Sequence, residues 1–215
     1  MNSQQQLAVQ YLDGPLLVLA GAGSGKTRVI THKIAYLIEK KGYTADRIAA
    51  ITFTNRAASE MRERVFDLLS SEKARGLTLS TFHSLGMQIL RRDARAIGYK
   101  PEFSVFDSAD SLQVLNEMLR TTDLAQVKRV SAAISRLKNL LVSPQQARAG
   151  AQTEDESTIA SCYDQYQSTL KAYQAVDFDD LIRLPVDLLE SCPDVLERWR
   201  MKLQYLLIDE YQDTN

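Results

Sequence analysis

The stretch Ala20-Gly21-Ala22-Gly23-Ser24-Gly25-Lys26-Thr27 constrains this chain more than any other. It follows an apolar run, Leu16-Leu17-Val18-Leu19, and precedes a helical pattern with Val29, Ile30, Ile34, Leu37 and Ile38 on one face. Strand, glycine-rich turn and helix, in that order, is the setting of a phosphate-binding loop. The glycines let the backbone curl with its N–H groups turned inward. Phosphates would then sit at the positive end of the helix, cradled by Ala22, Gly23, Ser24 and Gly25. The Lys26 ammonium would reach the β- and γ-phosphates, and the Thr27 hydroxyl would ligate Mg²⁺. The pattern predicts a nucleoside triphosphate site.

A chain of 215 residues allows one large domain or two small ones. It has no basic region leading into an apolar segment and no run as long as a membrane span, which predicts neither signal peptide nor transmembrane helix. Cys162 and Cys192 make neither a disulfide framework nor a zinc cluster. A soluble cytoplasmic protein is expected. The net charge of −1 carries no global sign of a polyanion ligand. Its distribution is uneven: residues 28–100 hold 14 Lys/Arg against 7 Asp/Glu, and residues 177–215 hold 4 against 10. A basic segment could track a phosphate backbone and an acidic one could hold metal, although solvated helix faces can differ this much without function.

Along the chain, residues 1–13 read as a short helix closed by Asp13-Gly14-Pro15. After the phosphate loop and its helix, Ile48 to Phe53 reads as a buried strand. Asn55 to Leu69 is a helix with Ala58, Met61, Val65, Leu68 and Leu69 inward, and Leu77 to Phe82 is another strand. This alternation implies a parallel sheet with helices on both faces. From His83 the rhythm becomes helical for roughly a hundred residues. Ser143-Pro144-Gln145-Gln146 and Thr153-Glu154-Asp155-Glu156 both read as capping boxes. Asp177, Asp179 and Asp180 read as a helix-start cluster favoured by the dipole. Leu203 to Ile208 is a strand ending in Asp209-Glu210. The expected organisation is residues 1–86 as the first part of the α/β domain, 87–176 as an all-helical insertion, and 177–215 as the return.

An apolar strand that ends in two acids is the partner a phosphate loop requires, because both side chains would face the crevice where ligands bind. Asp209 would hold Mg²⁺, mostly through water, and Glu210 could orient and deprotonate the water that attacks the γ-phosphate. Phe53 and Phe82 each close a strand beside a basic segment, where aromatic rings can stack bases. Either phenylalanine by itself also fits ordinary core packing.

AGAGSGKT at 20–27, ITFTNRAASEM at 51–61, STFHSLG at 80–86, DFDDLI at 177–182 and LLIDEYQDTN at 206–215 stand in the order seen in superfamily-one DNA helicases. The chain resembles the N-terminal part of a bacterial helicase of the Rep/UvrD/PcrA type, most of all its Rep branch. The resemblance implies a P-loop RecA-like motor domain interrupted by a helical insertion, with ATP and Mg²⁺ as cofactors. It implies that Gln5 reads the adenine edge, that Arg28 lies beside the nucleotide, and that Gln212 senses the γ-phosphate and attacking water alongside Lys26 and Glu210. Phe53, Thr54 and Asn55 match one single-stranded DNA motif of the family, and Thr81, Phe82 and His83 match a second. The implied activity is ATP-dependent 3′-to-5′ unwinding, acting on single-stranded DNA and junctions with duplex, alongside replication or repair proteins.

The resemblance also places a second motor domain, an arginine finger and a central strand of this sheet beyond residue 215. The 215-residue polypeptide alone is therefore expected to be inactive or very weak. Two other readings stay open: a helicase subunit of a helicase–nuclease, and a non-catalytic module that binds nucleotide or DNA. A small-molecule kinase would explain neither ITFTN nor DEYQD.

Overall fold

The computed structural model describes residues 1–21 and 23–214. Ala22, expected in the phosphate cradle, lies outside the described residues. In chain order the elements are α1 (Ser3–Gln10), α2 (Lys26–Lys41), β1 (Ile48–Thr52), α3 (Asn55–Leu68), β2 (Thr78–Thr81) and α4 (Phe82–Asp93). There follow β3 (Ser104–Val105), α5 (Ser108–Leu119), α6 (Leu124–Asn139), α7 (Pro144–Gly150), α8 (Glu154–Ala172) and β4 (Ala175–Val176). The chain ends with α9 (Asp180–Ser191), α10 (Pro193–Lys202) and β5 (Tyr205–Ile208). It divides into two compact units, Met1–Phe82 with Leu196–Asn215, and His83–Val195.

The first unit is α/β. Its sheet has the order β2-β1-β5 with every pair parallel. The central strand β1 is buried along its whole length, which explains why Ile48-Ala49-Ala50-Ile51 shows no polar alternation. Ile34 and Leu37 of α2 pack with Ile48 and Ala50, Met61 and Val65 of α3, and Leu79 of β2. Leu69 joins this core, whereas Leu68 turns to solvent, contrary to the expectation. A helix covers its core with a stripe, and Leu68 lies one position outside the 61-65-69 row. The α2 helix opens after Gly25 (φ +83°) and closes at Gly42 (φ +72°), both in the left-handed region that glycine enters without strain.

One expected strand is missing. Leu16–Leu19 forms no strand, and Leu17 and Leu19 are 62% and 86% exposed. An apolar run becomes a strand only where a neighbour accepts and donates its backbone hydrogen bonds. Among the described residues β5 is the sheet's outer strand on that side, with no further strand beyond it.

The second unit packs Val114 and Leu115 of α5, Val130 and Ile134 of α6, and Tyr163, Tyr166 and Leu170 of α8 into one core. Both capping boxes form: Ser143 with Gln146, and Thr153 with Glu156. The region is not wholly helical. The two short strands β3 and β4 pair in parallel, Ser104 with Ala175 and Val105 with Val176. Strands this short leave no readable period in the sequence. Among the described residues no helix is long and apolar enough to cross a membrane.

Candidate functional site

In the glycine-rich loop, the candidate phosphate site, Gly23 (φ +72°) and Gly25 (φ +83°) hold left-handed backbone, and the Ser24 N–H donates to the Gly21 carbonyl at 3.3 Å. These two glycines are what the turn needs sterically. Lys26 opens α2, with its Nζ 3.5 Å from the carbonyls of Ala20 and Gly21. Thr27 follows in the first turn, and Arg28 beside it is exposed. Gln5 reaches the loop from α1. Its Nε2 donates to the Ser24 carbonyl at 2.9 Å, and its backbone and Oε1 close a capping box with Asn2. That short helix is tied to α2 by buried Lys33, which donates to the carbonyls of Ala8 at 2.9 Å and Tyr11 at 2.6 Å. Lys33 satisfies C-terminal carbonyls that α1 cannot satisfy itself, and burial lowers its pKa.

The strand β5 brings the acidic pair to this loop. Thr27 Oγ1 donates to Asp209 Oδ2 at 3.1 Å, joining residues 182 positions apart. Asp209 is 6% exposed, and its N–H donates to the Ile51 carbonyl of β1 at 2.8 Å. Glu210 adopts a left-handed backbone (φ +52°), which turns the chain off the strand. Gln212 Nε2 donates to Glu210 Oε2 at 2.5 Å. The hydroxyl of Thr27 and the carboxylate of Asp209 form an all-oxygen donor pair, the chemistry a hard cation such as Mg²⁺ prefers.

The expected DNA residues lie where β1 and β2 end. Phe53 is 61% exposed, a large apolar ring left in water. Thr54 caps α3, accepting the Ala57 N–H at 3.1 Å, and Asn55 is exposed in the first turn. Thr81 is buried at the last position of β2, and Phe82 is half-buried. His83, half-buried, begins the second unit.

All residues from 1 to 215 match the family model of the UvrD/REP helicase N-terminal domain. The chain belongs to this helicase family. It is 51% identical over 218 residues to the ATP-dependent DNA helicase Rep of Salmonella typhimurium (strain LT2), covering 100% of this chain and 32% of that protein. The ATP-dependent DNA helicase Rep of Escherichia coli (strain K12) gives the same values. The ATP-dependent DNA helicase PcrA of Leuconostoc citreum is 47% identical over 219 residues, 100% of this chain and 29% of that one. The chain thus spans about a third of the length of the helicases it matches.

Within this UvrD/REP domain the sequence reading passed over Phe178. Its ring stands 5.6 Å from that of His83, tilted by 54°, and is 56% exposed. The available signal was an aromatic residue among three acids, Asp177-Phe178-Asp179-Asp180, which local reasoning assigned to a helix start. The helix start is there: α9 begins at Asp180 with Asp179 at its N-cap, and the Asp180 N–H donates to Asp177 Oδ1. Beyond that reading, Asp177 and Asp180 are buried and paired with Lys138. Desolvation raises the Asp180 pKa, against the pull of Lys138.

Proposed function

We propose that this chain is the ATP- and single-stranded-DNA-binding portion of an ATP-dependent 3′-to-5′ DNA helicase, with residues 1–86 and 177–215 as motor domain and 87–176 as insertion. The observation that carries this reading is the 3.1 Å bond from Thr27 to Asp209, which joins the phosphate loop to the acidic strand end. The family's name and its relatives' names point the same way.

The residues divide the work by position. Gly23, Ser24 and Gly25 present backbone to the phosphates, and Lys26 neutralises charge that develops on them. Thr27 and Asp209 would hold Mg²⁺, which supplies charge neutralisation between phosphate oxygens when bound. Glu210 takes the proton of the attacking water. Gln212, bonded to Glu210, fixes the carboxylate's direction and senses the γ-phosphate side. Gln5 reads adenine and Arg28 flanks the nucleotide.

Coupling to DNA follows from the sheet. Asp209 bonds to Ile51 of β1, and Phe53 stands two residues further on, directly after that strand's last residue. A shift of the acidic strand end is therefore passed over one hydrogen bond to the segment carrying Phe53, Thr54 and Asn55. Thr81, Phe82 and His83 are the second set of DNA-contact candidates, and within the His83–Val195 unit Phe178 stands beside His83. Stacking on such rings is tolerant of sequence, as a motor on DNA requires. The setting is cytoplasmic, on single strands and their junctions with duplex, with replication or repair proteins as partners.

ATP hydrolysis by the full-length protein, with and without single-stranded DNA, tests this. DNA should stimulate turnover, Lys26→Ala should abolish it, and Glu210→Gln should lower kcat by about 10²–10⁴-fold while ATP still binds. Turnover indifferent to DNA, or surviving Lys26→Ala, overturns the reading. Partial duplexes with a 3′ or a 5′ tail decide the polarity.

A further inference from the structure

The helicase reading makes no use of the charged cluster inside the His83–Val195 unit. The Lys138 side chain, at the end of α6, is fully buried. Its Nζ donates to Asp177 Oδ2 at 2.7 Å and lies 2.9 Å from Asp180 Oδ1. Tyr166 of α8 donates its hydroxyl to Asp177 Oδ2 at 3.0 Å, and Gln167 Nε2 donates to Asp180 Oδ2 at 3.1 Å. The Asp180 N–H donates to Asp177 Oδ1 at 2.9 Å, closing the segment on itself. Asn139, next to Lys138, donates to Asp179 Oδ1 at 3.2 Å.

So every acid from Asp177 to Asp180 is held by α6 or α8, and Phe178 is the residue left outside. That inverts ordinary preference. A free segment would turn its phenylalanine inward and its carboxylates to water, because burying the ring is favourable and burying unpaired charge is costly. Lys138 removes the second cost and so permits the inversion. The displayed ring leans on His83 at the rim of a cleft of about 430 Å³, whose lining includes Ser111, Ser131, Ser135 and Asp179.

We propose that Lys138 is a positioning residue for DNA binding: its ammonium clamps Asp177 and Asp180 and thereby holds Phe178 outward against His83 as a base-stacking platform. The proposal rests on the DNA reading of the His83–Phe178 surface given above. Lys138 itself is too deeply buried to meet a phosphate.

The test uses the full-length protein and a fluorescent oligothymidylate, with affinity measured by anisotropy over a range of salt. Phe178→Ala should weaken binding by about 5- to 150-fold, the equivalent of one lost base stack. Lys138→Met should weaken it in the same direction, and the double variant should be no weaker than the worse single one. The dependence of affinity on salt should keep its slope in Lys138→Met, whereas a lost phosphate contact would reduce it by about one. Tyr166→Phe, which removes one bond to Asp177 and no charge, should give a smaller loss. In NMR spectra the His83 ring resonance should move in Lys138→Met toward its position in Phe178→Ala, as the neighbouring ring current disappears.

Additive losses in the double variant, or a reduced salt slope, overturn the proposal. If Phe178→Ala leaves DNA affinity unchanged, the platform reading fails instead, and the His83 resonance still decides whether Lys138 holds the ring. If Lys138→Met does not fold, Tyr166→Phe decides. A His83 resonance unmoved in that variant overturns the clamp.

Discussion

Gly86, in the middle of α4, has no room for a methyl group. A Cβ there would stand 1.8 Å from the Leu181 carbonyl oxygen of α9, a backbone atom that cannot swing away. Gly86→Ala should therefore destabilise the protein by about 3 kcal/mol or more, at the upper end of overpacking costs, read as a lower denaturant midpoint. Phe53 is the opposite case. With its ring already in water, Phe53→Ala should leave stability within about 0.5 kcal/mol yet cost about 1–3 kcal/mol in single-stranded DNA affinity. Equal loss of both would make Phe53 a packing residue. Only what stands opposite Gly86 and Phe53 separates a structural requirement from a binding surface.

At the scale of elements, Gly86 belongs with Pro185. Proline has no N–H, so at position 185 within α9 it leaves the Leu181 carbonyl without its helical partner, and α4 approaches that same carbonyl through Gly86. The α8 helix depends instead on its cap. Glu156 accepts the N–H groups of Gln152 and Thr153, and those bonds hold its pKa below the ordinary carboxylate value. A depressed carboxylate contributes stability above its unfolded pKa and loses it as pH falls through its folded one. Amide protection at Gln152 and Thr153 should accordingly decline at acidic pH, and Glu156→Gln should flatten that decline. The α6–α9 pairing runs through Lys138. Removing one partner of a buried ion pair costs about 3–5 kcal/mol, so Lys138→Met should lower the thermal midpoint as well as DNA affinity. Neutralising Asp177 and Asp180 together with it should recover part of that stability.

For the whole molecule, the first unit leaves two apolar surfaces in water: the run Leu16–Leu19, outside any strand, and Leu206 of β5, half exposed. Exposed apolar surface of this kind drives association. The 215-residue polypeptide should self-associate with rising concentration in light scattering, and Leu206→Lys should reduce this. ATP turnover by the 215-residue polypeptide, measured with and without single-stranded DNA, decides whether the glycine-rich loop and Asp209-Glu210 suffice for hydrolysis.

What the sequence determined alone is whatever its own neighbours enforce. The turns at Gly23 and Gly25, the boxes at Ser143–Gln146 and Thr153–Glu156, and the helical stripes of α2 and α3 each arise within a few residues. Sterics and local hydrogen bonds act at that range, so these features were legible. The apolar run Ile48–Ile51 and the run Leu16–Leu19 are equally strand-like to a reader. One is the buried centre of a sheet and the other is exposed and unpaired, because a strand exists only where distant backbone answers it. Likewise Asp177-Phe178-Asp179-Asp180 has the composition of a solvated helix start. It becomes a buried clamp because Lys138, 39 residues before Asp177, arrives by tertiary packing, and burial in a low-dielectric interior makes charge pairing obligatory.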